Sequence, residues 1–289
     1  NKAKLTDYGL PKSNNQMSTI SGKIIESYAY VAPELIGGKI IHTDKSDIYA
    51  LSIILWEIIT RQIPYKEIEN KFAILSKVKN GYRETIPSNC NQSFANIIKQ
   101  CWDGNPDNRP TASQILIQLQ SIENVVDSNN NNNIDYMKDD TINHSDLKYN
   151  RKLGNNQSEV YEGKWLDSIV AIKDLQNILL NKEEIRLLKE CDHPNIVKIY
   201  GCCINPKHEC SIIMEYMKNG SLYDFIHSNN EITLNLILNI AIDIVNGLVH
   251  LHDTKHVIHR NLKSMNVLLD DNNKAKLTDY GLPKSNNQM

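Results

Sequence analysis

The sequence lacks the features that typify membrane, secreted or nucleic-acid-binding proteins. Its longest apolar run, residues 48–59, is interrupted by Ser52 and Glu57, so it is too short to cross a bilayer and is typical of a buried core helix. The first residues lack the basic, apolar and cleavage regions of a signal peptide. Lysine and arginine total 32 against 34 acidic residues, which gives no reason to expect binding to nucleic acid. We expect a cytoplasmic protein without a membrane segment.

The sequence also lacks a disulfide framework, since its six cysteines show no regular spacing. This favours a reduced intracellular protein. Cys202, Cys203, His208 and Cys210 lie close enough in sequence to suggest a zinc site. A strand hairpin with buried thiols explains the same residues, and we favour it.

A long internal repeat is the most informative feature that is present. Residues 273–289 are identical to residues 1–17, at an offset of 272 positions. This period is far too long for a solenoid unit. Two interpretations stay open: one turn of a longer tandem array, or one domain in rotated order with a short overlap.

Hydrophobic periodicity divides the chain into three blocks. Residues 18–126 are mostly helical, residues 127–146 form a polar Asn-rich linker, and residues 147–217 contain short strands around one helix. Helical periodicity returns at 221–253. The predicted helices are 47–60, 94–102, 111–126, 183–191 and 234–251, and the predicted strands are 160–165, 169–173, 196–203 and 211–216.

Eight short motifs carry the chemistry. Lys173 ends an apolar strand and Glu184 follows on a helix. Beyond them lie residues 193–197 (His-Pro-Asn-Ile-Val), 214–217 (Met-Glu-Tyr-Met), 259–266 (His-Arg-Asn-Leu-Lys-Ser-Met-Asn) and 278–281 (Thr-Asp-Tyr-Gly). Upstream lie residues 32–34 (Ala-Pro-Glu), 47–50 (Asp-Ile-Tyr-Ala), 101–102 (Cys-Trp) and 108–111 (Asn-Arg-Pro-Thr). Together they resemble the protein kinase family. Lys263 and the surroundings of Trp102 and Trp165 are most similar to its serine/threonine, tyrosine-kinase-like branch.

The resemblance implies an α+β, two-lobed kinase fold assembled in circularly permuted order. Residues 1–126 would be the C-terminal part of a kinase domain, with the metal-binding motif, activation segment and helical lobe. Residues 127–146 would be the linker. Residues 147–289 would be the N-terminal part, with the β lobe, hinge, catalytic loop and the second copy of the metal-binding motif. The small lobe would be residues 147–217.

The resemblance also implies ATP and Mg²⁺ as cofactors. Lys173, oriented by Glu184, would hold the α- and β-phosphates, and Gly154 lies in the phosphate-covering loop. Asp279, or its duplicate Asp7, and Asn266 would bind metal. The adenine contacts would be Glu215 and Met217 at the hinge, gatekeeper Met214, and the apolar side chains Val160, Ala171 and Leu268. Lys263 would lie beside the transferred phosphoryl group.

Two positions depart from the family pattern. The loop at 153–160 keeps only Gly154 where the family has three glycines, which weakens the expected backbone approach to phosphate. Asn261 replaces the catalytic Asp that accepts the substrate proton. Two hypotheses stay open: a pseudokinase that regulates a partner protein or an adjacent kinase repeat, and a weak serine/threonine kinase acting on a protein substrate.

The resemblance predicts two buried structural features as well. Leu188, Ile199, Tyr280 and His259 would form an apolar column anchored on Asp47. Glu34 and Arg109 would form a buried ion pair. A closed domain has one place for the duplicated strand, and the shorter connection predicts that residues 274–280, rather than 2–8, occupy it.

Overall fold

The computed structural model describes residues 28–37, 41–68, 70–123, 142–153, 159–175, 182–204 and 210–280. The first copy of the repeat, the linker core and the phosphate-covering loop lie outside these ranges.

A five-stranded antiparallel sheet forms the small lobe. Its strands are β1 (Leu147–Leu153), β2 (Val160–Trp165), β3 (Ser168–Leu175), β4 (Ile199–Ile204) and β5 (Cys210–Glu215), in the spatial order β1-β2-β3-β5-β4. Successive side chains of β3 point to opposite faces of the sheet. Ala171 therefore lies in the main core, whereas Val170 and Ile172 lie in a smaller cluster on the opposite face. Helix α5 (Lys182–Glu190) packs beside β4.

The helical lobe is built around α1 (Asp44–Thr60). Every side chain from Ser46 to Ile58 is buried, which confirms the predicted core helix. Thr43 caps its N-terminus in a reciprocal capping box with Ser46. The surrounding helices are α2 (Lys71–Lys79), α3 (Gln92–Cys101), α4 (Ala112–Glu123), α6 (Leu222–Ile226) and α7 (Leu234–Val249).

A strand hairpin and a helix from early in the sequence both pack against helix α7, late in the sequence. Strands β6 (Val267–Leu269) and β7 (Ala275–Leu277) form a two-stranded sheet that lies against α7. Helix α4, early in the sequence, packs extensively against α7, far later in the sequence. Arg61 donates to the backbone carbonyls of Ile226 and Ser228, which ties the end of α1 to α6. Residues of the helical block, early in the sequence, therefore contact the segment that follows the sheet.

One helical stretch, Leu234–Thr254, has the length and composition of a membrane-crossing helix. It comprises α7 and a π-helical turn, His250–Thr254. Half of it is buried in contacts with other parts of the chain, as in the core helix of a folded domain.

Each predicted helix and strand overlaps an element of the structure, with ends that differ by up to three residues within the described ranges, and β1 and α2 were missed. β1 was missed because its sequence, Leu-Lys-Tyr-Asn-Arg-Lys-Leu, is largely polar, as suits the edge of a sheet. α2 was missed because only Ile74 and Val78 are fully buried. All six cysteines lie in the described residues and none forms a disulfide bond, and the described residues contain no cluster of three or more His, Cys, Asp or Glu side chains that could hold a metal. His208 lies outside the described residues.

Candidate nucleotide and metal site

The loop that carries Asn261 is held by one buried carboxylate. Asp47, in the first turn of α1, accepts the backbone N–H groups of His259 (2.7 Å) and Arg260 (3.0 Å). The Nε2 atom of His252 lies 3.0 Å from the same carboxylate. Arg260 has a left-handed backbone (φ +67°), and the paired hydrogen bonds to Asp47 stabilise this conformation. The predicted anchor at Asp47 is therefore present.

Asn266 links this loop to the strand hairpin. Its Nδ2 atom donates to the carbonyl oxygen of Asn261 at 2.7 Å, and its own carbonyl accepts the N–H of Thr278 at 3.0 Å. Asn266 is buried. The two hydrogen bonds fix the Asn261 backbone relative to Asp279, the residue that follows Thr278.

Lys173 and Asp279 form an ion pair across the cleft between the lobes. The Nζ atom of Lys173 lies 2.6 Å from Oδ1 of Asp279, and each side chain keeps about a fifth of its surface exposed (21% and 22%). Burial acts to raise the pKa of the Asp279 carboxyl, but the Lys173 ammonium and the nearby Lys263 outweigh it, so that this pKa lies below its usual value. Asp279 is therefore a carboxylate at neutral pH.

Direct contacts link three members of the predicted column, which comprises Leu188, Ile199, Tyr280 and His259. The Tyr280 hydroxyl donates to the carbonyl oxygen of Leu188 at 2.9 Å. The rings of Tyr280 and His259 meet edge to face, with centroids 6.4 Å apart. Ile199 packs against the same core. His259 is fully buried, and burial lowers the pKa of its imidazole, which is therefore neutral at pH 7. These contacts connect α5 to the Asn261 loop.

The predicted apolar adenine contacts all belong to the main core of the molecule. Ala171, Met214 and Met217 are buried in it, and Val160 and Leu268 pack against it. Ala171 on β3 lies directly opposite Met214 on β5. Met214 also lines a small cleft with Lys173, Leu188, Thr278 and Asp279. Of the predicted apolar residues, Met214 therefore lies in the cleft that contains the ion pair.

The hinge residue Glu215 has contacts that sequence reasoning missed. Its carboxylate accepts a hydrogen bond from Lys276 Nζ at 2.6 Å and from the Lys198 N–H at 3.2 Å. Its own N–H donates to the Lys198 carbonyl at 2.8 Å. Because these partners are distant in sequence, no local pattern could have indicated them.

The predicted pair of Glu34 and Arg109 is present, with Arg109 buried and the Glu34 side chain 24% exposed. Two parallel hydrogen bonds of 2.8 and 2.7 Å join the guanidinium to the carboxylate. Arg109 also donates to the carbonyl oxygens of Asp103 and Lys45. A second buried contact was not predicted: the Tyr30 hydroxyl donates to Glu57 at 2.7 Å and lies 3.1 Å from the Ser264 hydroxyl, beside the Asn261 loop.

Three predicted site residues cannot be compared with the structure. Gly154 and Asp7 lie outside the described residues. The backbone of Glu184 lies in α5, but its side chain is also outside them. The roles of these residues stay predictions.

Comparison with known proteins is consistent with this geometry. Residues 1–119 and 147–289 match the family described as protein tyrosine and serine/threonine kinase. The chain belongs to the protein kinase family. Members of this family generally use ATP and Mg²⁺ and act on protein substrates.

Several relatives are themselves described as kinases. The dual specificity protein kinase pyk3 of Dictyostelium discoideum is 30% identical over 288 residues, which cover 88% of this chain and 21% of that protein. The probable serine/threonine-protein kinase drkA of the same organism is 40% identical over 146 residues, 47% of this chain and 23% of the relative. The serine/threonine-protein kinase STY46 of Arabidopsis thaliana is 33% identical over 152 residues, 50% and 26% respectively. The chain thus spans about a quarter or less of these relatives.

Proposed function

We propose that the chain is a nucleotide-binding pseudokinase of the serine/threonine, tyrosine-kinase-like branch. The observation that carries the proposal is Asn261 at the position of the catalytic Asp, in a loop whose supports are otherwise intact. An amide lacks the basicity needed to accept the proton of a substrate hydroxyl, and general-base catalysis typically contributes about 10²–10⁴-fold in rate. The expected result is a kinase-like fold that binds nucleotide but turns over poorly.

The residues present fit Mg²⁺ and the phosphates of ATP. Mg²⁺ accepts carboxylate and amide oxygens as ligands, and Asp279 and Asn266 carry these groups. The hydrogen bond from the Thr278 N–H to the Asn266 carbonyl holds Asn266 near Asp279, the residue that follows Thr278. Lys173, already 2.6 Å from Asp279, supplies a cation for the phosphates. When bound, Mg²⁺–ATP supplies the γ-phosphoryl group and the metal neutralises part of its charge.

The remaining side chains would hold the base and the reacting end of the nucleotide. Val160, Ala171 and Leu268 would contact the faces of the adenine ring. The Glu215 carbonyl and the Met217 N–H would contact its edge, since the Met217 carbonyl already accepts the Gly220 N–H at 3.2 Å. Lys263 would lie near the γ-phosphate. The missing loop glycines would lower affinity because side chains obstruct the approach of backbone N–H groups.

A weak serine/threonine kinase is the second candidate. The supporting observation is that the Asn261 loop keeps its hydrogen bonds to Asp47 and Asn266. An asparagine held in place can still orient a hydroxyl by hydrogen bonding, and phosphoryl transfer depends largely on positioning and electrostatics. Slow transfer would then persist without a base.

We also propose that the domain is assembled in rotated order from residues 147–289 and 1–126, joined by linker 127–146. The contacts of α4 with α7 and of Asp47 with His259 support closure within one chain. The match to pyk3 covers 88% of the sequence, more than either of the two segments that match the kinase family. This favours origin in a tandem arrangement, in which an adjacent kinase repeat is a natural partner.

Calorimetric titration with ATP tests the binding part of this proposal. We expect binding that requires Mg²⁺, and an affinity at least about tenfold lower for Lys173→Met because the ammonium that neutralises phosphate is lost. The exposed Lys164 on β2 supplies a matched control, and Lys164→Met should bind like the wild type. Equal affinity for Lys173→Met, or binding unaffected by Mg²⁺ removal, would contradict the proposal.

A further inference from the structure

The strand β7 occupies a closely fitted place in the fold, which we call the strand slot. It is the set of groups that contact residues 274–280. Backbone hydrogen bonds of 2.9 Å join Leu277 to Asn195 and Val197. The Ala275 N–H donates to Asp243 and its carbonyl accepts from Asn195. Ala275 and Leu277 have no exposed surface, so the slot holds a single strand.

The slot also selects the sequence of its occupant. A Cβ atom on Gly247 of α7 would lie 2.9 Å from Leu277 Cδ1 and 2.8 Å from the Asn195 carbonyl oxygen, so glycine is needed to admit this leucine. Lys276 pairs with Glu215, Asp279 with Lys173, and Tyr280 with the Leu188 carbonyl. Contacts on both faces thus distinguish residues 274–280 from a generic strand.

The chain contains a second segment with the same sequence. Residues 2–8 are identical to 274–280, so every contact made by the seated strand is available to them. We propose that residues 2–8 are an alternative occupant of the strand slot within the same chain. In that arrangement Asp7 would replace Asp279 beside Lys173, and residues 9–27 would connect the strand to Tyr28.

The two segments would make identical contacts in the slot. The difference in free energy between the two arrangements therefore depends on the entropy of closing the loop that connects each segment to the rest of the fold. Five residues, 270–274, connect β6 to β7, whereas nineteen residues, 9–27, separate Tyr8 from Tyr28. The (3/2) ln n dependence of closure entropy favours residues 274–280 by only about sevenfold. Asp270 adds to this preference, since its carboxylate accepts the N–H groups of Asn272 and Lys274 in the β6–β7 turn.

Buried-leucine substitutions in the full-length chain test the proposal. Leu277→Asp should expel residues 274–280, and residues 2–8 should then fill the slot. We expect the unfolding equilibrium constant to rise about tenfold for Leu277→Asp and to stay unchanged for Leu5→Asp. The double variant should show a rise at least about a hundredfold larger, because no copy can then bury a leucine.

Leu269→Asp is the matched control, since Leu269 on β6 is equally buried but lies outside the duplicated segment. Leu269→Asp alone should raise the unfolding equilibrium constant as much as the double variant does. Adding Leu5→Asp to it should not raise the constant further. The proposal is overturned if Leu277→Asp alone is as damaging as the double variant, or if Leu5→Asp alone destabilises the chain.

Sedimentation of Leu277→Asp separates filling within one chain from filling between chains. A monomer whose stability is independent of protein concentration supports the proposal. Stability that rises with concentration, together with a dimer, would mean that the slot is filled by a second chain and would overturn it. The inference rests on the rotated assembly proposed above, but neither readout uses nucleotide, so its failure can be distinguished from a failure of nucleotide binding.

Discussion

At the scale of single residues, three buried polar side chains determine the geometry of the site. Asp47 holds the Asn261 loop through two backbone N–H groups, Asn266 joins that loop to the strand before Asp279, and Arg109 braces the helical lobe. Each satisfies several partners at once, which is the condition under which a buried polar group is stabilising rather than costly.

Arg109→Lys should destabilise the fold by about 2–4 kcal/mol, because a lysine cannot reproduce the two parallel bonds to Glu34 together with the bonds to two carbonyl groups. Urea denaturation measures the effect. Arg151→Lys is the control: Arg151 also pairs with a glutamate, but its side chain is 67% exposed, and the change should stay within about 0.5 kcal/mol. Similar losses in both variants would contradict the buried pair.

The stability of the chain should fall as the pH decreases from about 7 to about 4. Burial lowers the pKa of His193 to about 4, with the stacked His250 as a further cause, and burial also lowers the pKa values of His250 and His259. The unfolded state therefore binds protons that the folded state does not, and acid favours unfolding.

The variant His193→Asn tests whether His193 contributes to this loss of stability in acid. The Nδ1 atom of His193 accepts the N–H of Asn195 at 3.1 Å, and an asparagine oxygen can replace this acceptor but cannot titrate. The variant should lose less stability between pH 7.5 and pH 4.5 than the wild type, measured by denaturation at each pH. An unchanged or steeper loss would show that His193 does not contribute.

At the scale of elements, the seam between the two halves of the sequence lies between α4 and α7. Helix α4 presents two fully buried residues, Ile115 and Leu119, to the core. The sequence predicted both helices from their apolar spacing, but spacing alone does not determine which helices pack together. That depends on chain connectivity, which the repeat made ambiguous.

Ile115→Ala should lower the free energy of unfolding by about 2–4 kcal/mol, through lost burial and a residual cavity. Ile117, two positions along the same helix, is 67% exposed, and Ile117→Ala should change stability by less than about 0.5 kcal/mol. Equal effects from the two substitutions would mean that α4 does not pack in the intact chain as described.

Sequence reasoning succeeded where chemistry is carried by short motifs and failed where contacts are distant. The motif residues Lys173 and Asp279 were identified, and the structure places them 2.6 Å apart. Lys276, which pairs with Glu215, and Ser264, which contacts Tyr30, occupy positions without a distinctive local pattern. Polar strand β1 was missed for a related reason: its place at the sheet edge removes the apolar alternation that marks internal strands.

At the scale of the whole molecule, the proposed assembly is a kinase fold in which the helical block precedes the β lobe in sequence. The small lobe, the Asn261 loop and the β6–β7 hairpin come from residues 142–280, and the greater part of the helical lobe comes from residues 28–123. The site lies within the later segment, while Asp47 and Glu57 of the earlier segment support it. Under the proposed rotated order, phosphate transfer would depend on closure of the two segments as well as on residue 261.

Phosphate transfer to a serine/threonine substrate, compared between the wild type and Asn261→Asp under saturating Mg²⁺–ATP, tests the central claim most directly. We expect negligible transfer by the wild type and a gain of about 10²-fold or more on restoring the carboxylate. Turnover by the wild type at ordinary kinase rates, on the order of 1–100 s⁻¹, would contradict it.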